Sequence, residues 1–288
     1  METKEKAYAK INLALAVGGK KDGFHEVDGI AVTVDLYDQV VVSKRRDDLV
    51  KLYPTGLREY VYDCIPQRDN AYKAAVAFME NYSVGGVDIR IRKAIPLGGG
   101  MGGSSTDAAA VLRAMAKLYG VTDDLSPLAN ALGSDTAYLL KGGFARLKGR
   151  GEIIESLDVK RRLHIVAVYS ERGVNTTKCF EKFDELGGGT VESDNVDRLK
   201  EFLLSDSTDF KSGLSYCKND LFEAARLIEP QVGLAFDELK SLCPSACFMT
   251  GAGSTVCAIF SEEPLARWAV DKMKRKRFGA EYLYSVNP

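Results

Sequence analysis

Alternation of apolar and polar residues is the first regular pattern in the chain. Across residues 8–17 the alternate positions are apolar and predict a strand with one buried face: Ala9, Ile11, Leu13, Leu15 and Val17. Lys10 and Asn12 fall on the other face. They are flanked there by small Ala14 and Ala16, which would leave room for a ligand beside the strand.

The same patterns predict the remaining elements. Further strands are predicted over 30–36, 39–43, 49–53, 60–62, 87–95, 143–148, 152–156, 163–169, 246–250, 256–260 and 281–285. A helix is predicted over 71–81 with Asn70 as N-cap, and a second helix follows residues 96–105 and ends at about residue 119. Further helices are predicted from 126 to Gly133, through Phe180 and Phe183, and over 196–204, 220–228, 231–242 and 263–274. The arrangement predicts an α+β fold of two domains, residues 1–157 and 158–288.

A glycine-rich stretch separates the predicted strand 87–95 from the helix that follows. Its residues are Pro96, Leu97, Gly98, Gly99, Gly100, Met101, Gly102, Gly103, Ser104 and Ser105. Glycine loses the most backbone entropy on ordering, so a mere connection would not favour this composition. Bare backbone amides leading into a helix N-terminus favour an anion such as a nucleotide phosphate, and a flexible loop is the alternative.

Two common phosphate-binding patterns fit this stretch poorly. A P-loop requires Lys followed by Ser or Thr after the last glycine, whereas Ser104 follows Gly103. Gly98, Gly100 and Gly103 match the dinucleotide pattern in spacing, but no hydrophobic strand of sufficient length precedes Asp123 and Asp124. A different kind of nucleotide loop is indicated.

Composition narrows the class of protein. Hydrophobic residues make up 45% and charged residues 27% of the 288 residues, and the net charge is −1. These values predict a globular protein that binds neither nucleic acid nor membranes. The charged N-terminus carries no signal sequence, which predicts a cytoplasmic location. With only two histidines and no CxxC pair, a Cys/His metal site is not expected.

Three stretches together resemble the GHMP kinase superfamily: residues 10–12, residues 96–105 and residues 249–254. The sequence around His25, residues 22–26, is similar to the members that act on a cytidine diphosphate sugar alcohol. The resemblance implies a two-domain fold, with an N-terminal domain like domain 2 of ribosomal protein S5 and a ferredoxin-like C-terminal domain. It also implies a small-molecule substrate and a monomer or weak homodimer.

The resemblance further implies ATP-dependent phosphorylation of the 2-hydroxyl of an erythritol moiety. Asp135 would be the general base and Lys10 would orient the hydroxyl, while residues 96–105 would hold the ATP phosphates. Mg²⁺ is expected on those phosphates, with no certain protein ligand and Ser105 as a candidate contact. The substrate-binding residues would be Asn12, Phe24, His25, Thr176, Thr177 and Phe180, with cytosine hydrogen-bonded to His25 and stacked between Phe24 and Phe180. Residues 251–254 would close the wall of the active site.

Departures from the family pattern leave alternatives open. Phe24 replaces the common Tyr, Ser104 replaces a glycine, and residues 136–139 differ from the usual Val-Pro-Phe-Phe. Another kinase of the superfamily, acting on homoserine or mevalonate, would share the loop and Asp135. A nucleotide-binding module without catalysis would need neither Lys10 nor Asp135, and Asp135 would then be an ordinary N-cap.

Overall fold

A computed structural model of the chain describes residues 1–21, 23–57, 61, 64–170 and 172–288. Its strands are β1 (Glu2–Lys21), β2 (Phe24–Lys44), β3 (Val50–Thr55), β4 (Val87–Arg92), β5 (Phe144–Gly149), β6 (Ile153–Leu157), β7 (His164–Tyr169), β8 (Ala246–Met249), β9 (Val256–Phe260) and β10 (Gly279–Val286). Its helices are α1 (Asn70–Tyr82), α2 (Gly103–Tyr119), α3 (Ser126–Leu132), α4 (Ser134–Lys141), α5 (Thr176–Glu185), α6 (Asp194–Leu204), α7 (Phe210–Gly213), α8 (Phe222–Ile228), α9 (Pro230–Lys240) and α10 (Glu263–Arg275). The predicted α+β class is confirmed.

The described residues divide into two units. The first unit comprises Met1–Ala9, Leu36–Leu97 and Gly102–Gly142, and the second comprises Lys10–Asp35, Gly98–Met101 and Gly143–Pro288. The long strands β1 and β2 therefore contribute residues to both units. The glycine stretch also divides, because residues 98–101 belong to the second unit and the start of α2 belongs to the first.

The first unit packs α1 to α4 on a small sheet. The β2 segment from Gln39 to Lys44 pairs antiparallel with β4, and β3 pairs parallel with β4 on its other side. The alternating residues Val87, Ile89 and Ile91 of β4 point into a core of alanines and larger apolar residues from α1 and α2. Alternation and helical spacing therefore place the same face of each element inward.

The second unit is built on antiparallel pairs. β5 pairs with β6 and with residues 27–31 of β2, while β10 pairs with β7, β7 with β9, and β9 with β8. Val166, Val168, Val256 and Ala258 on the central strands contact apolar residues of α5, α8, α9 and α10. This core positions the segments that carry His25, Phe180 and residues 249–254.

A buried ionic network links three elements of the second unit. The Arg146 guanidinium on β5 donates two hydrogen bonds to Asp28 on β2, at 2.8 and 2.6 Å, and a third to Asp197 on α6 at 2.6 Å. Ser193 also donates to Asp28 at 2.6 Å. Although burial opposes it, the hydrogen bonds from Arg146 and Ser193 lower the pKa of Asp28. The stabilisation from this ionised Asp28 is therefore complete above its unfolded pKa of about 4 and is lost as pH falls through the lower folded value.

Several predicted boundaries were wrong. Helix α1 begins at Asn70, and its N-cap is Asp69, whose carboxylate accepts a hydrogen bond from the Ala71 amide at 2.8 Å. The two strands predicted over 30–36 and 39–43 are one strand, β2, which begins at Phe24. Short α7 was not predicted. The predicted strand 60–62 falls on Tyr60 and Tyr62, which lie outside the described residues, as does Asp22.

Replacement of Arg146 by leucine tests the buried network. Arg146→Leu leaves the Asp28 carboxylate buried without its cation, so we expect the free energy of unfolding to fall by about 3–5 kcal/mol. Urea unfolding at neutral pH measures this loss. Lys274→Leu, at an exposed position of helix α10 in the same unit, is the control and should change stability by less than about 0.5 kcal/mol. Equal effects of the two substitutions would contradict the assignment.

Candidate active site

The first half of the glycine loop is held by its carbonyl groups. Within the second unit, Gly98 O accepts hydrogen bonds from the amides of Val174 and Ser254, both at 3.2 Å, and Gly99 O accepts one from Thr255 at 3.3 Å. The next two carbonyls accept from Thr250 Oγ1 at 3.3 Å and from the Lys10 amide at 3.0 Å. Among the residues that the structure describes, no backbone acceptor is found for the Gly98, Gly99 and Gly100 amides. These amides can therefore donate to an anion.

Glycine is required at position 100 by close packing. Gly100 has φ of +73°, and a Cβ placed on it would lie 2.2 Å from the Thr250 carbonyl oxygen and 2.9 Å from that of Gly253. A Cβ on Gly251 would similarly lie 2.6 Å from Gly100 O. The second glycine turn, residues 251–254, thus packs backbone against backbone on the loop, as the resemblance implies for the wall of the site.

The second half of the loop opens helix α2. Gly102 is the N-cap in the left-handed region, and the first helical hydrogen bond runs from the Thr106 amide to Gly102 O at 2.9 Å. The amides of the first turn of a helix have no partner inside the helix and carry its positive dipole end. Ser104 is exposed and its hydroxyl accepts from Asn70 Nδ2 at 3.5 Å, while Ser105 is half-buried. This turn has the donor set that phosphate groups require.

Lys10 and Asn12 are both buried, at 5% and 4% exposure, so neither belongs to a solvated face. Lys10 Nζ donates to Asn12 Oδ1 at 2.5 Å, and the Asn12 amide donates to Thr250 Oγ1 at 2.9 Å. Thr250 therefore joins the Lys10 strand to the glycine loop. Sequence reasoning included Thr250 in a motif but did not assign it this contact, because only the fold brings positions 12, 100 and 250 together.

His25 is held by three neighbours in the second unit. Its Nδ1 lies 2.8 Å from Gly18 O, its Nε2 lies 3.3 Å from Asp184 Oδ1, and its ring stacks on Phe180 at a centroid distance of 4.8 Å. Hydrogen bonding from Lys20 and the charge of His25 lower the pKa of Asp184. The contact with Gly18 O requires a proton on Nδ1, and a hydrogen bond from Nε2 to the Asp184 carboxylate would require a proton on that nitrogen as well.

Phe24, Thr176 and Thr177, three further predicted substrate residues, lie at the surface of the same unit. Phe24 is 56% exposed, and the Arg150 guanidinium lies 4.5 Å from the centre of its ring. Thr176 and Thr177 are exposed at the start of α5, whose N-cap Asn175 accepts from the Lys178 amide at 3.1 Å. Phe180 and His25 are brought into direct contact. Phe180 therefore already has an aromatic neighbour on one face.

Asp135 lies in the first turn of α4 in the first unit and is half-buried. The N-cap position is Gly133, so the alternative that Asp135 is an ordinary N-cap is wrong. Tyr138, in the next turn, is buried, and both burial and the Asp135 charge raise the pKa of its hydroxyl. Residues 136–139, which depart from the usual family sequence, are all buried in this helix.

Comparison with known proteins identifies the family. The profile "GHMP kinases N terminal domain" matches residues 69–143, and "GHMP kinases C terminal" matches residues 199–279. A relative from Clostridium beijerinckii, named 4-diphosphocytidyl-2-C-methyl-D-erythritol kinase, is 37% identical over 279 residues, covering 95% of this chain and 96% of its own. The chain belongs to the GHMP kinase family. GHMP kinases are ATP-dependent phosphotransferases.

Solved structures support the same fold. A crystal structure of 4-(cytidine 5'-diphospho)-2C-methyl-D-erythritol kinase has a TM-score of 0.79 at 26% identity, covering 99% of this chain and all of that chain. Homoserine kinase from Cytophaga hutchinsonii has a TM-score of 0.76 at 18% identity, covering 99% and 95%. The predicted GHMP kinase fold is confirmed. In the described ranges no helix has the length and apolar character needed to cross a membrane, and no three potential His, Cys, Asp or Glu ligands form a metal-binding group.

A pair of glycine substitutions separates packing from backbone conformation. Gly100 and Gly120 both have φ of +73°, but a Cβ on Gly120 would meet no atom within 4 Å. We expect Gly120→Ala to cost about 1–2 kcal/mol of stability and to leave the KM for ATP unchanged. Gly100→Ala must also displace Thr250, so its KM for ATP should rise by about tenfold or more. Steady-state kinetics and thermal unfolding of both variants test this, and equal KM values would contradict it.

Proposed function

We propose that the protein transfers the γ-phosphoryl group of ATP to the 2-hydroxyl of 4-diphosphocytidyl-2-C-methyl-D-erythritol, a reaction of the non-mevalonate route to isoprenoids. The observation that carries this proposal is the 37% identity, over nearly the whole of both chains, to a relative that bears the name of that kinase. The stacked His25 and Phe180 support it, because a nucleobase is a planar group with hydrogen-bonding edges.

The phosphate donor would be held by backbone amides. The Gly98, Gly99 and Gly100 amides and those of the first turn of α2 would donate to the oxygens of the triphosphate. Mg²⁺ would neutralise charge on those oxygens. Because this ion usually keeps several waters and takes few protein ligands, a single hydroxyl such as that of Ser105 is the candidate contact.

Asp135 would act as the general base in the reaction. The hydroxyl proton passes to the Asp135 carboxylate as the oxygen forms its bond to the γ-phosphorus, and the bond to the β-phosphate oxygen breaks to release ADP. The Lys10 ammonium would orient the hydroxyl and stabilise the developing negative charge. Buried Lys10 is well suited to this role because its hydrogen bond to Asn12 fixes the ammonium group.

The acceptor would be recognised through its cytidine diphosphate group. His25 would hydrogen-bond the cytosine edge, with Phe24 and Phe180 against the ring and Asn12, Thr176 and Thr177 near the remainder. Because one face of Phe180 stacks on His25, the cytosine would lie against the other face of Phe180. The monomeric or weakly dimeric state and the cytoplasmic location stay predictions.

A panel of acceptors tests the proposed activity. ADP release with Mg-ATP is measured separately with 4-diphosphocytidyl-2-C-methyl-D-erythritol, homoserine and mevalonate. We expect turnover with the cytidyl compound alone. Turnover only with another alcohol would support the assignment as a kinase but contradict the assignment of a cytidine site. Binding of ATP without turnover of any acceptor would favour a nucleotide-binding module without catalysis.

Asp135→Asn tests the general base. The amide is of similar shape but cannot accept the proton, so we expect kcat to fall by about 10²–10⁴-fold while the affinity for ATP is retained. Asp194→Asn, also in the first turn of a helix, is the matched control and should leave kcat unchanged. Near-normal kcat for Asp135→Asn would remove Asp135 from this role.

His25→Ala tests the cytidine site. Loss of hydrogen bonds to the base should raise the KM for the cytidyl acceptor by about tenfold or more and leave the KM for ATP unchanged. The chain has only one other histidine, His164, which contacts Tyr282 at 2.8 Å. His164→Ala is therefore the control. If both variants keep the wild-type acceptor KM, His25 does not bind the base.

A further inference from the structure

A lysine and two aspartates are buried together in the first unit. The Lys93 ammonium contacts Asp38 and lies 2.6 Å from Asp107 Oδ2, and the side chains of Lys93, Asp38 and Asp107 are 1%, 0% and 2% exposed. Burial opposes the charge of Lys93, but the two carboxylates outweigh it and raise the pKa of the ammonium. Burial also raises the pKa of Asp107 well above its usual value, although the charge of Lys93 opposes that rise.

The three residues lie on either side of the glycine loop in the sequence. Lys93 directly follows β4, Asp38 lies on β2, and Asp107 lies in the second turn of α2. Asp38 Oδ1 also accepts hydrogen bonds from the Ala94 and Ile95 amides, at 2.6 and 2.9 Å. The network thus ties the residues that lead into the loop to the helix that leaves it.

The Lys93 ammonium lies close to the start of α2. A Cβ on Gly103, the first residue of that helix, would lie 3.6 Å from Lys93 Nζ and 3.3 Å from Ile95 Cγ2. The Lys93 backbone is also fixed, because its amide donates to Thr55 O at 2.9 Å and its carbonyl oxygen would be 2.3 Å from a Cβ on Gly56. Both the side chain and the main chain of Lys93 are therefore held in one place.

Stability alone does not account for this arrangement. Buried ion pairs are costly to desolvate, and their replacement by apolar groups of similar volume is often neutral or stabilising. Three ionisable side chains within an otherwise apolar core instead select one geometry, because other positions of β4 or α2 would leave a charge unpaired. A glycine loop, which has the greatest backbone freedom, has the most to gain from such fixed ends.

We propose that Lys93, by bridging Asp38 and Asp107, is a positioning residue that fixes the glycine loop and the N-terminal turn of α2 for the phosphates of ATP. This inference rests on the proposed function for its ligand. It assigns no direct contact between Lys93 and ATP. The network acts by holding backbone amides in the geometry that binds phosphate before the nucleotide arrives, which reduces the entropy lost on binding.

A charge-free variant separates positioning from stability. The triple variant Asp38→Asn/Lys93→Met/Asp107→Leu removes all three ionisable groups, and its side-chain amide at position 38 keeps an oxygen that can accept from the Ala94 and Ile95 amides. Calorimetric titration with Mg-ATP should give a Kd raised by about tenfold or more, and hydrogen exchange of residues 98–105 should become faster. The thermal midpoint should stay within a few degrees of wild type. An unchanged Kd for ATP in the folded variant would overturn the proposal.

Single substitutions keep the test decisive if the charge-free variant does not fold. Asp107→Leu should also weaken ATP binding, and Asp107→Asn, which retains an oxygen within reach of Lys93, should recover most of the loss. Lys117→Met removes an exposed cation from the same helix and should leave the Kd for ATP unchanged. Equal ATP affinity of Asp107→Leu and wild type would refute the inference, whereas a wild type that does not bind ATP would refute the proposed function instead.

Discussion

The rest of this structure depends on fixing the conformation of the glycine loop, which has almost no side chains that could pack against its neighbours. Five of the six positions from Gly98 to Gly103 are glycine, so the amides that would bind phosphate belong to the most flexible kind of backbone. The fold fixes the segment through groups other than those amides. In the second unit, neighbours donate to the loop carbonyls, and Thr250 and Gly251 pack against Gly100. In the first unit, Lys93 connects the residues before the loop to helix α2. The amides remain available for an anion.

The sequence allowed most elements and the main candidate residues to be predicted, because their signals are local. Alternation located the strands, and residues 10–12, 96–105 and 249–254 together indicated a kinase of this superfamily. Boundaries failed where neighbouring residues have similar chemistry, as with Asp69 and Asn70 at the start of α1. The predicted break between two strands near residues 37–38 was wrong because the polar side chains of Asp35 and Asp38 have partners within the fold. Asp35 accepts a hydrogen bond from the Tyr284 amide at 2.8 Å, and Asp38 contacts Lys93.

The network of Lys93, Asp38 and Asp107 was not predicted, although the position of Lys93 in the sequence indicates that it is buried. Val87, Ile89 and Ile91 point inward, and the same alternation places Lys93 on the buried side before Ile95. A charged residue in phase with an apolar face predicts a buried partner, but the identity of that partner depends on tertiary contacts with residues 38 and 107. The same limit applies to Thr250, whose hydroxyl contacts both Asn12 and Gly100. Charge patterns indicate that such partners exist, and only the fold identifies them.

Hydrogen exchange with and without nucleotide is the most direct test of whether the glycine loop binds the phosphates of ATP, because it reports on the loop amides themselves. Exchange is measured by mass spectrometry at saturating Mg-bound non-hydrolysable ATP and, separately, at saturating cytidine diphosphate. We predict that the ATP analogue slows exchange in residues 97–106, while cytidine diphosphate slows exchange around residues 24–26 and 176–180. If saturating ATP analogue slows exchange in another region and leaves the exchange of residues 97–106 unchanged, the assignment of the glycine loop as the phosphate-binding element is contradicted.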